Sequence, residues 1–399
     1  MKPAQATRLI HHAYKPPCGF EAVAPGVHKA STVFFDSVAD LRAREWKDKT
    51  GYTYGLHGTP TTFTLEERIA TLEGGKHCVL VPSGLAAVGL VDMAFLRQGD
   101  ELLIPDNAYG PNKALAEAEL SGWGIHTRYY DPLQPSHLAS LITPATRLVW
   151  LEAPGSITLE YPDLSALVQV VQQANQAQGR AERPILTALD NTWGAGVAFC
   201  GFDFGVDVVM QALTKYPSGG ADVLMGSVVT RAPALHSALL LTHMRVGHGV
   251  GGNDAELVLR GLNSLALRYH AQDAATRELA QWMQTQPQVA AVFHPALVGS
   301  PGHEVWARDA TAAGCLFSVV FQPSYTQAEV DAFCDRLQWF RLGWSWAGPV
   351  SLCAPYNVAS IRTQPWPHTG RLVRFAIGLE AVPDLMADLR QSLQQMRVV

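Results

Sequence analysis

The feature that most narrows the choice of fold is an alternation. Seven short apolar runs lie at residues 78–81, 101–105, 125–130, 147–152, 184–190, 206–212 and 223–230. Runs that are apolar throughout, rather than at every second position, predict strands buried on both faces. Helical spacing separates several of them, as at 85–97 and 162–178. Strand and helix in turn predict an α/β chain with a mostly parallel sheet flanked by helices. In such sheets ligands gather at the carboxyl ends of the strands.

The alternation occupies residues 63–255, read as one α/β domain. Before it, residues 1–62 show little periodicity and carry Pro16-Pro17 and Pro25. Such a segment reads as an arm laid across another subunit or domain. Thr64 and Glu67 have capping-box spacing, Leu65, Ile69 and Leu72 share a helical face, and Gly74-Gly75 end that helix. After residue 255 long helical patterns at 256–286, 326–340 and 383–396 surround apolar runs at 316–321 and 372–379. They predict a smaller α+β domain over 256–399.

Composition removes several function classes. The chain has 399 residues, 48% hydrophobic and 16% charged, enough for a large core. A net charge of −5 without a basic run gives no nucleic acid or anionic membrane partner. Lys2 and Arg8 are not followed by an apolar segment, and the longest apolar stretches stop short of a membrane span. Cys18, Cys78, Cys200, Cys315, Cys334 and Cys353 are widely spaced and form no CxxC pair. No disulfide framework or metal site is expected, and a reducing cytoplasm suits the chain. His11-His12, His243 and His248 lack acidic or thiol companions and read as surface or core histidines.

Chemistry concentrates at two strand ends. Lys215 follows the run 206–212, and a lysine beside a buried strand can lose its proton and form a Schiff base with a carbonyl. Most lysines beside strands are simply solvated, so Lys215 alone decides little. Asp190 ends the run 184–190, and it reads as a helix cap or as a charge partner. Together they supply what pyridoxal 5'-phosphate (PLP) requires: an amine for its aldehyde and an acid for its ring nitrogen. Pro82-Ser83-Gly84-Leu85 joins a strand to a helix, which suits either a phosphate or an ordinary serine N-cap. Thr214 offers a second phosphate contact. Tyr109, in Asn107-Ala-Tyr-Gly-Pro111, reads as a ring-stacking aromatic or as loop packing. Arg374 interrupts an apolar strand, and a buried arginine requires an anion, from the protein or from a substrate.

YGLHGTPTTFTLEERIATLEGG, VPSGLAA, NAYGP, LEAPGSITLEYPD, LDNTWGAG, QALTKY, RGLNSL, WSWAGPVSL and RLVRFAIGLE stand in this order. From about residue 30 onward the chain resembles the Cys/Met-metabolism PLP-dependent enzymes. The resemblance implies a fold-type I enzyme that works as a homotetramer of two active dimers on a small amino-acid substrate. By the same resemblance Lys215 links to the cofactor aldehyde, Asp190 faces its ring nitrogen and Tyr109 stacks on its ring. Ser83, Gly84, Leu85, Ala212 and Thr214 would surround the phosphate, with Ala212 where serine is common. Arg374, Ser345, Trp346 and Ser156 would form the substrate pocket, and Tyr54 would reach in from the partner subunit. Ser156, where γ-type relatives carry asparagine, favours β-elimination from L-cystathionine to homocysteine, pyruvate and ammonia. A broader cysteine-S-conjugate lyase and γ-eliminating or γ-replacing relatives are the alternatives. Leu56 departs from the resemblance: it stands where the family usually has a phosphate-binding arginine, which implies looser PLP binding. Only that departure suggests a PLP-binding chain without turnover.

Overall fold

The computed structural model describes residue 19 and residues 22–396. Lys2, Arg8, His11-His12, Pro16-Pro17 and Cys18 lie outside the described residues. The first long helix is α2, Pro60–Leu72, after a short α1 at Val38–Ala43. Its capping box is Thr59 with Thr62, not Thr64 with Glu67, and Thr64 Oγ1 instead donates to Pro60 O at 2.6 Å inside the helix. Proline explains the correction: Pro60 has its φ preset for the first helical turn, so the helix starts there.

The large sheet holds β1 (His77–Val81), β2 (Glu101–Pro105), β3 (His126–Tyr130), β4 (Thr146–Glu152), β5 (Leu186–Asp190), β6 (Val208–Ala212) and β7 (Gly226–Thr230). These are the seven apolar runs, with starts shifted by up to three residues. Their spatial order is β1-β7-β6-β5-β4-β2-β3. All neighbouring pairs are parallel except those of β7, which runs antiparallel to β1 and β6. Parallel neighbours need a long crossover, whereas antiparallel ones do not. The 213–225 connection therefore stays at the carboxyl edge of β6, and Lys215 is on it.

Helices cover both faces, among them α3 (Gly84–Phe95), α4 (Gly110–Leu115), α5 (Pro135–Leu141), α6 (Leu164–Ala177) and α7 (Pro233–Val246). Leu102, Ile104, Leu148, Trp150, Ala188 and Val208 pack with Val88 and Val91 of α3 on one side. Leu103, Val149, Leu151, Leu189 and Val209 pack with Leu65, Ile69, Leu167 and Val171 on the other. This double burial is why the strands read as unbroken apolar runs.

The pattern at 256–286 is two helices, α8 (Gly252–Leu262) and α9 (Leu265–Gln284). Gly261 near the break approaches the lysine loop so closely that a Cβ there would lie 2.2 Å from Pro217 O. The chain continues through β8 (Val289–Phe293), α10 (His303–Asp309), β9 (Leu316–Phe321), α11 (Gln327–Asp335), β10 (Arg341–Leu342), β11 (Leu352–Tyr356), β12 (Leu372–Ala376) and α12 (Val382–Gln394). Here the five strands form a second sheet in the order β10-β11-β12-β9-β8, antiparallel except for β10 with β11. Among the described residues no helix is long and apolar enough to cross a membrane.

Candidate active site

A cleft opens at the carboxyl ends of β4, β5 and β6. Its lining includes Ser83, Gly84, Leu85, Tyr109, Ser156, Asp190, Ala212, Thr214, Lys215 and Trp346, ten of the residues singled out in the sequence. The topology gathers them, because β5 and β6 are parallel neighbours and both end at this edge. Thr192 Oγ1 accepts the Ala212 N–H at 2.9 Å and ties the two strand ends together.

Lys215 Nζ donates to Ser345 Oγ at 2.7 Å and lies 5.6 Å from the centre of the Trp346 ring. Burial pushes the amine down to about 8, and repulsion from Arg374 adds to the effect against the attraction of Asp190. Asp190 accepts the Thr192 N–H at 2.9 Å through Oδ1. Burial raises its carboxyl, while Thr192 and Lys215 pull the other way.

Ser83 N-caps α3, its Oγ accepting from Ala86 N at 3.0 Å. Its hydroxyl thus serves the helix, whereas Gly84 and Leu85 have first-turn N–H groups with no carbonyl a turn earlier to bond. A Cβ on Gly84 would lie 2.6 Å from Ala212 Cβ, so the backbone approach between helix start and strand end admits no side chain at 84. Thr214 Oγ1 bridges Met225, donating to its carbonyl at 3.2 Å and accepting from its N–H at 3.1 Å.

Arg374, on β12, is buried. Its two terminal nitrogens donate to Ser156 O at 3.2 Å and Trp344 O at 2.9 Å, and its guanidinium lies 5.3 Å from the Tyr356 ring centre. Burial lowers its proton affinity. Among the described residues no carboxylate forms an ion pair with it. Ser345 and Arg374 stand behind the lining, held to it through Lys215 and Ser156.

Tyr54 does not line the cleft of its own chain. It is exposed, bridged to Thr32 and edge-on to His57 at 6.0 Å. His243 and His248 contribute nothing to the cleft either: the His243 ring bonds the His248 carbonyl at 2.8 Å.

Glu152 was missed by the sequence reading. It ends β4 directly beside Asp190 in register, lines the cleft, and accepts the Tyr109 N–H at 2.7 Å. Burial and the neighbouring Asp190 push its carboxyl well above the usual range. The signal that marked Asp190, an acid closing an apolar strand, marks Glu152 equally. Burial likewise raises the Tyr109 hydroxyl, with Asp190 and Glu152 adding to it.

The chain matches the family described as Cys/Met metabolism PLP-dependent enzyme over residues 6–394. It belongs to that family. The cystathionine beta-lyase MetC of Escherichia coli K12 is 37% identical over 96% of both chains. The crystal structure of metB from Corynebacterium glutamicum aligns with a TM-score of 0.86 at 27% identity over 98% of both chains. Cystathionine gamma synthase from Xanthomonas oryzae, solved with aminoacrylate and cysteine, aligns with a TM-score of 0.84 at 29% identity over 99% of this chain and 98% of that one. The fold is that of the fold-type I PLP enzymes, and the cofactor is PLP.

The cleft fits it. An acid at a strand end, its Oδ1 accepting the Thr192 N–H, suits a protonated ring nitrogen, a half-exposed aromatic suits a ring face, and a helix start pressed against Ala212 suits a phosphate.

Proposed function

We propose that the chain catalyses β-elimination from L-cystathionine: cystathionine and water give homocysteine, pyruvate and ammonia. The observation that carries this reading is the meeting of Lys215, Asp190 and Arg374 around one cleft, with Arg374 paired to no carboxylate among the described residues. The 37% identity to a cystathionine beta-lyase supports elimination at Cβ, as does Ser156.

Bound PLP supplies an aldehyde that condenses with amines and a ring that draws electrons from Cα. Lys215 would hold the aldehyde, Asp190 the ring nitrogen and Tyr109 the ring face. Gly84 and Leu85 would offer backbone N–H groups to the phosphate, with Ser83, Ala212 and Thr214 around them. Arg374 commits one N–H to Ser156 and one to Trp344, which aims its plane, and three donors remain for the substrate carboxylate. Trp346 and Ser156 line that side. Lys215 Nζ, oriented by Ser345, takes the proton from Cα, and its lowered proton affinity keeps a neutral fraction available near pH 8. Tyr109, or Tyr54 from a neighbouring chain, would move the amine proton.

Tyr54 serves a neighbouring cleft in this reading, which its exposure outside its own chain's lining supports. The assembly is then a homotetramer of two active dimers in the cytoplasm. Residues 1–62 form the arm, 63–255 the PLP domain and 256–399 the C-terminal domain.

Product analysis on cystathionine, cystine and cysteine tests the reading. Pyruvate with homocysteine is the expected result. A yield of 2-oxobutyrate would mean γ-elimination, and pyruvate from cysteine derivatives alone a broader β-lyase. Lys215→Ala should lose all turnover, and pyruvate release by that variant would refute the assignment.

A further inference from the structure

Between β11 and β12 the chain makes a long excursion, residues 357–371, before returning to the strand that carries Arg374. It reaches across to the large sheet and is held there by buried charge. Asp106, fully buried just past β2, accepts from Thr363 N at 2.8 Å, Thr363 Oγ1 at 2.7 Å, Gln364 N at 3.0 Å and Arg362 Nε at 3.3 Å. Arg362 also donates to both oxygens of Glu160 at 2.8 Å. Lys113 Nζ donates to Ile361 O at 2.7 Å and lies 3.5 Å from Asp106. Two acids and two bases thus balance in a nearly dry site, with Arg362 and Asp106 side chains 7% and 0% exposed.

The attachment points are not arbitrary. Asp106 is three residues before Tyr109. Glu160 belongs to the loop of Ser156 and accepts Asn107 Nδ2 at 2.8 Å, while Ser156 N donates to Asn107 O at 3.1 Å. Arg362 therefore clamps together the Tyr109 loop, the Ser156 loop and the strap leading into Arg374. A guanidinium fork between two carboxylates is among the most directional contacts a protein can make. A salt bridge kept for stability alone has no need to join three loops of one cleft.

We propose that Arg362 is a positioning residue: held between Asp106 and Glu160, it fixes the strap 357–371 and so sets the placement of Arg374 against Tyr109 that an amino-acid carboxylate requires. This rests on the reading of Arg374 as the carboxylate grip.

The test uses the PLP-loaded protein and three variants, Arg362→Ala, Arg362→Lys and Arg374→Gln. Arg362→Lys keeps the charge but not the fork, and it stands in if Arg362→Ala does not fold. Backbone hydrogen exchange reports the strap, and titration with glycine, followed by the cofactor's absorbance, reports carboxylate binding without turnover. Losing the fork should speed exchange across 357–371 and weaken glycine by about tenfold or more, with PLP affinity unchanged. Unchanged exchange would overturn the clamp, and faster exchange with unchanged glycine affinity would overturn its positioning role. Glycine binding indifferent to Arg374→Gln would instead defeat the reading of Arg374.

Discussion

The amine of Lys215 should titrate far below an ordinary lysine in the cofactor-free protein, and the size of the effect follows from its surroundings. Its value falls from 10.5 to about 8, chiefly through burial and then through repulsion from Arg374. That drop of about 2.5 pH units corresponds to about 3 kcal/mol against the charged form. At pH 7.5 about a quarter of the amines would be neutral, against about one in a thousand at the ordinary value. Only the neutral amine attacks an aldehyde. The rate at which apoprotein captures added PLP, followed by absorbance, should therefore rise with pH and level off just above pH 8. In Arg374→Gln the repulsion is gone, so the midpoint should move up. In Asp190→Asn the attraction is gone, so it should move down. A rate that climbs steadily to pH 10, or a midpoint indifferent to both changes, would refute the electrostatic account of Lys215.

Three further outcomes follow from other parts of the molecule. Asp92 is fully buried, with Trp150 Nε1 2.9 Å from Oδ1 and no partner for Oδ2 among the described residues, and burial pushes it up to about 7 against the pull of Trp150. Because its folded value is raised, the unfolded chain releases the proton first, and stability falls by up to about 4 kcal/mol as pH rises from about 4 through 7. Asp92→Asn removes that slope, so thermal unfolding should find the variant gaining on the wild type between pH 5 and 8; parallel pH curves would contradict it. Gly84→Ala places a methyl 2.6 Å from Ala212 Cβ and should weaken PLP binding about tenfold or more, with partial recovery on adding Ala212→Gly. Leu56→Arg places a cation where the family resemblance implies a phosphate contact, worth roughly 1.5–3 kcal/mol; equilibrium titration of the apoprotein with PLP should show tighter binding, and equal affinity would remove any role for that position.

The parts of this fold that were legible in the sequence are those whose cause is local. Strands buried on both faces must be apolar throughout, so β2, β4 and β9 announce themselves. Lys215 and Asp190 are legible for a related reason: a charge ending such a run has to lie at the sheet's edge. β11 was not legible, because Pro355 interrupts Leu352–Tyr356 and a proline argues against a strand. The structure shows why it is tolerated. The short β10 pairs only with Leu352 and Cys353, so Pro355 lies beyond the partner on that side. The misplaced cap of α2 has the same character: two threonine-led patterns compete, and Pro60 decides between them.

Arg362, Asp106 and Glu160 carried no signal at all, and none is to be expected. Each is an unremarkable charge in its own neighbourhood, and what distinguishes them is a meeting across more than two hundred residues that only topology arranges. The same holds for Lys215 in part. Its place after an apolar strand is visible in the sequence, but its lowered proton affinity, due chiefly to burial, is deepened by Arg374, delivered by β12 from the other sheet. Chemistry at this cleft is therefore divided between groups set by strand ends in the large sheet and a cation set by the small one. The strap between β11 and β12 is one of the contacts through which the second can be held in register with the first.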